Sequence, residues 1–98
     1  LMDDLFELVG LLEDMYIASV KGDQNRFNYL NMRFSTIGNS MFGSGSWAED
    51  EVAYVCDQAR NDCASYFMFS TWGAGLEGMA EKCLENCTNR IDSLYGYL

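Results

Sequence analysis

Apolar residues recur along this chain at alternating steps of three and four. Leu5, Leu8, Leu12 and Met15, flanked by Val9, Tyr16 and Val20, predict a first helix over residues 2–21. Asp3, Asp4 and Glu7 fall in its first turns, where the helix dipole favours negative charge. Gly22 suits a helix end and Asp23 a cap for the next helix. Phe27, Leu30, Phe34, Ile37 and Met41 make the stripe of a second helix over 24–42. Gly38 lies off that stripe and weakens the helix by roughly 1 kcal/mol. After a Gly/Ser loop at 43–46, Ser46 and Glu49 read as a capping box for a third helix over 47–69, with the stripe Val52, Cys56, Ala59, Cys63, Tyr66. Residues 70–75 read as a turn. A fourth helix over 76–97 carries Leu76, Ala80, Cys83, Cys87, Ile91, Leu94 and Leu98. Four amphipathic helices joined by short turns predict a single all-α domain, an up-down-up-down four-helix bundle.

The cysteine spacing refines this picture. All four cysteines fall on the inward stripes of the last two helices. In an antiparallel hairpin turning at 70–75, the pairings Cys56–Cys87 and Cys63–Cys83 lie within about 4.5 Å of a common register, whereas the crossed pairing is out by about 16 Å. The expectation is a hairpin stapled by these two disulfides. An even cysteine count in a short chain places it in an oxidising, extracellular setting. Asn86-Cys87-Thr88 adds an N-glycosylation sequon at Asn86. The opening Leu1 reads as the start of a processed or trimmed product.

Charge narrows the partners. Six basic residues against fifteen acidic ones give a net charge of −9. That excludes the cationic faces that nucleic acids and anionic membranes require. No apolar run approaches the ~18 residues of a membrane span. There is no proline to interrupt a helix and no histidine, so the usual general base and the commonest metal ligand are missing.

No catalytic constellation follows. The cysteines lack a base partner and the wrapping spacings of zinc or iron–sulfur sites, so neither metal nor cofactor is expected. The acidic clusters at Asp3/Asp4, Glu13/Asp14 and Glu49/Asp50/Glu51 read as dipole and solubility charges, not as acid–base pairs. Gly73-x-Gly75 is too short for a phosphate loop. The chain is not expected to be an enzyme. It is rich instead in methionine (six) and aromatics (six Phe, six Tyr, two Trp). Met2, Met15, Met32, Met41, Met68 and Met79, with Phe27, Phe34, Phe67 and Phe69, could line an adaptable pocket. Phe67-Met68-Phe69 covers three faces of one helix, so part of it should be exposed; with Tyr95 and Tyr97 it offers interface surface.

Asp3-Asp4-Leu5 with Gly10, Leu30-Asn-Met-Arg-Phe34 with Ser35, and Arg90-Ile-Asp-Ser-Leu94 together resemble the N-terminal domain of the spider-silk proteins, the spidroins. The similar pieces cover about a quarter of the chain. The resemblance implies a secreted helical bundle that dimerises on acidification through charged helix faces. An aspartate and a lysine of that family fall near Asp4 and Arg26, which the resemblance makes interface residues. The chain departs from the family in lacking its first helix, unless that helix was trimmed, in carrying Ser40 where the family has a glutamate of its pH relay, and in the stapled hairpin.

The function expected is a secreted self-association module, a homodimer or a binder of another protein, whose association strengthens as carboxylates protonate. The alternatives are a carrier of a small hydrophobic ligand, which needs a cavity of about 300 Å³ or more, and a secreted signal or toxin that binds a receptor.

Overall fold

A computed structural model of the chain describes residues 2–45 and 47–98. Among the described residues there are four helices, α1 (Met2–Lys21), α2 (Gln24–Phe42), α3 (Glu51–Trp72) and α4 (Glu77–Tyr95), with a 3-10 turn at Trp47–Glu49 before α3. The body measures 42 × 24 × 22 Å, its long dimension set by α3, whose 22 residues rise about 33 Å.

The first hairpin forms as its caps dictate. Gly22 takes a positive φ of 73°, and the Asp23 carboxylate accepts the amide of Arg26 at 3.0 Å, satisfying a donor that the helix leaves open. The start of α3 differs from expectation. Asp50 caps it by accepting the Ala53 amide at 3.0 Å; the expected cap, Ser46, lies outside the described residues. The segment expected to be the first turn of that helix instead folds Trp47 inward as a buried plug.

Gly38 is likewise not a bystander. It is buried on α2, and the Trp47 ring occupies the place its β-carbon would take. Trp47 packs against Phe34 and Phe42, with ring centroids 5.7 and 5.6 Å apart. Its Nε1 donates to Asn39 Oδ1 and to the Gly43 carbonyl, both at 3.2 Å. The Arg60 guanidinium from α3 lies 5.3 Å from the ring centres of both Phe34 and Trp47, bonds Ser35 at 2.9 Å, and pairs with Asp57.

The core is continuous, and its largest fully enclosed apolar side chains are Leu8, Val9, Leu12, Met15, Leu30, Phe34, Cys56, Cys63, Cys87 and Leu94. α3 packs chiefly on α4 and α1 on α2. The two hairpins meet mainly through α1 against α3, while α2 touches α3 lightly.

Candidate functional site

In the α3–α4 hairpin the structure parts from the sequence in register. α3 continues three residues past the expected end at 69, because the hydroxyls of Ser70 and Thr71 fold back onto the Phe67 carbonyl, each at 3.0 Å, instead of opening a turn. The turn is then made by Gly73 and Gly75, at φ 93° and 94°. Its centre lies further along the chain than expected, so α4 slides along α3.

In that register Cys63 faces Cys87, with the sulfurs 2.6 Å apart and both residues wholly buried. The expected pairings Cys56–Cys87 and Cys63–Cys83 are not the ones that meet. All four cysteines stand as free thiols. Cys56 lies on the core, seven residues before Cys63 and away from the turn, and Cys83 is only half-buried on the turn side of Cys87. Arg90 of α4, paired with Asp62 of α3, reports the same register. The Cys63 thiol is pushed up by sharing a hydrogen bond with Cys87, and further by burial. Burial, then Asp50 and Asp57, push the Cys56 thiol up to about 12.

The expected interface residues are scattered. Phe67 is buried, edge-on to Phe27 with centroids 5.3 Å apart, so it offers no interface. Phe69 is half-buried against the exposed Trp72, 6.1 Å between centroids. The Tyr95 hydroxyl donates to Glu13 at 2.8 Å, and the Tyr97 hydroxyl is pushed up by the neighbouring Glu51 carboxylate; both rings stay partly exposed near the end of α4. Asp4 and Arg26 are exposed in the first turns of α1 and α2, at opposite ends of an antiparallel pair whose register the Glu7–Arg33 bridge (2.9 Å) marks. Asn86 is half-buried in the middle of α4. Of the proposed pocket methionines, Met15 is enclosed in the core, Met41 is half-buried, and Met32, Met68 and Met79 are exposed; the side chain of Met2 lies outside what is described.

One surface was missed by the sequence reading. α1 carries a second stripe, Phe6, Gly10, Glu13, Ile17 and Val20, again at steps of four and three. It faces away from the core: Phe6 is 66% exposed and Ile17 and Val20 are 49% exposed. The signal is in the sequence, since α1 is apolar on two faces, but a search that stops at the first stripe passes over it. On one side of this seam an open groove of about 330 Å³ is walled by Tyr16, Ile17, Thr88 and Ile91 and rimmed by Glu13 and Asp92. On the other, Ile17 borders a cavity of about 230 Å³ that reaches Asp14, Lys21 and Arg26.

Among the described residues no group of three or more acidic or cysteine side chains is placed to hold a metal ion. Among the described residues, too, no helix is long and apolar enough to cross a membrane. Comparison with protein-family models, with curated proteins and with solved structures finds no match to the chain.

Proposed function

We propose that the protein is a secreted, non-enzymatic self-association module, silk-like in its response to acid, and that two copies meet along the outward stripe of α1. The observation that carries the reading is that stripe. Large apolar side chains at heptad-like spacing on an exposed helix face are a liability in a monomer and a seam in a dimer.

The seam is self-complementary. Set antiparallel about a two-fold axis at Glu13, Phe6 of one copy comes level with Val20 of the second, and Gly10 falls within one residue of Ile17. Gly10 leaves room for the larger partner. The acidic start of α1, at Asp3, then approaches the end that carries Lys21 and Arg26, so the charges favour the antiparallel arrangement.

The same geometry puts two Glu13 carboxylates face to face, with Asp92 beside them, in a protein of net charge −9. Like charges brought together out of water resist association until protons are taken up. Dimerisation should therefore strengthen between pH 7.5 and 5. Sedimentation across that range at two salt concentrations tests it, with Ile17→Asp as the variant that should stay monomeric. A wild-type mass that does not change would sink the proposal. The carrier reading finds less support, because the interior is filled by Phe34, Leu8, Leu12 and Met15 and the cavities beside α1 open to the surface. In the oxidising setting of this reading, α3 and α4 are joined through sulfur by one bridge in place of the two expected.

A further inference from the structure

We infer that Cys63 and Cys87 are the site of that single disulfide, and that Cys56 and Cys83 remain thiols. The inference deepens the extracellular reading above and rests on its oxidising setting.

The argument is one of placement. The two sulfurs lie 2.6 Å apart, inside ordinary van der Waals contact, with no side chain between them. They project from the facing sides of neighbouring antiparallel helices, at a separation that bond formation would close with little movement of either backbone. Cys56 and Cys83 have no such option. In this register they are eleven residues out of step with one another, about 16 Å of helix rise, far beyond the reach of a disulfide.

The chemistry needs an external oxidant, and a small disulfide such as oxidised glutathione serves. The Cys63 thiolate attacks one glutathione sulfur and expels one glutathione thiolate. The Cys87 thiolate then attacks the Cys63 sulfur of the mixed disulfide and expels the second. The two cysteines together lose two electrons and two protons, and two molecules of reduced glutathione form.

Both sulfurs are fully enclosed in the folded protein, so an oxidant reaches them only while the hairpin is open. Ser19 of α1 lies over the pair, reaching Cys63 and bonding the Met15 carbonyl at 2.9 Å. The bond is thus made as the chain folds, and the closed bundle then shields it from reductant.

The test uses the whole chain, refolded in a glutathione redox buffer, denatured, alkylated without reductant and digested with trypsin and a glutamyl protease. Cleavage after Arg60, Lys82, Glu85 and Arg90 places each cysteine on its own peptide. The expected result is a cross-linked pair carrying Cys63 and Cys87, with Cys56 and Cys83 alkylated. Four alkylated cysteines, or a link through Cys56 or Cys83, would overturn it. A Cys56→Ala/Cys83→Ala variant should keep the link, and losing it there would also count against the proposal. Folded oxidised protein should resist dithiothreitol until denaturant is added. The peptide map is read whatever the association state, so its failure is distinct from a failure of the α1 seam.

Discussion

Trp47 stands where a β-carbon on Gly38 would have to be. That relationship sets two effects against each other. On an exposed helix, glycine to alanine gains roughly 1 kcal/mol of propensity. Here the indole is held by Asn39, Gly43, Phe34 and Phe42 and cannot give way cheaply, and overpacking of this kind costs about 1–3 kcal/mol. Packing should win. Gly38→Ala is expected to lower stability in urea titrations, and in a Trp72→Phe background to red-shift the fluorescence of Trp47 as the ring is driven toward water. An alanine variant more stable than wild type, with unchanged emission, would show that the ring is not pinned.

The Arg90–Asp62 pair should respond asymmetrically to mutation. Asp62 has a side chain 14% exposed, against 35% for Arg90. Arg90→Met leaves a largely buried carboxylate without its partner and should cost about 2–3 kcal/mol. Asp62→Asn leaves a guanidinium that can turn toward water and should cost about 1 kcal/mol. Chemical denaturation of the two single variants measures the order; equal losses would mean that burial of Asp62 does not decide it.

Reduced protein should lose stability on the alkaline side. The Cys56 thiol is raised by burial to about 12 from an ordinary 9.0, so its neutral form is favoured in the fold. A group raised in this way contributes stability that is complete below its unfolded value and fades as pH climbs through the folded value. The window is therefore about pH 9 to 12. Tyr95, raised by donating to Glu13, and Tyr97, raised by the neighbouring Glu51 carboxylate, act with the same sign above their ordinary value of 10.0. Denaturation midpoints from pH 8 to 11 should fall in wild type and fall less steeply in Cys56→Ala.

Two acidic residues separate the α1 seam from the charged-face interface that the silk resemblance implies. Glu13 sits at the centre of the seam, whereas Asp4 shares the core-facing side of α1 with Leu8 and Leu11 and is exposed only by its place at the helix end. Glu13→Gln should strengthen self-association at neutral pH by roughly threefold to tenfold, on the order of 1 kcal/mol. Asp4→Asn should leave it nearly unchanged. A strong effect of Asp4→Asn with none from Glu13→Gln would move the interface off the seam.

The sequence carried the helix bounds and the joining turn of the first hairpin, because glycine and aspartate at 22–23 act through local hydrogen bonds that any helix end supplies. It carried the inward stripes for the same reason: periodicity is local. What it did not carry was long-range register. Ser70 and Thr71 look like turn residues, yet their hydroxyls can bond backward within a helix as readily as they can open a turn, and three residues of added helix exchange one cysteine partner for another. Phe67 was lost to a local choice of step: the stripe was continued from Cys63 by three residues to Tyr66, whereas the buried face steps by four to Phe67, which packs on Phe27. Trp47 was hidden differently, since only the buried glycine across the loop tells that its ring has a place to go.

That turn also works as a length gauge. A residue added at its tip, between Gly73 and Gly75, would lengthen a loop and leave both helices in phase. A residue added between Cys63 and Trp72 would rotate everything before it by about 100° relative to the tip, carrying the Cys63 sulfur off the α4 face and Asp62 off Arg90 with it. Length variation in this hairpin is therefore tolerable at the glycine tip and not in the helical turns between the tip and the two facing cysteines.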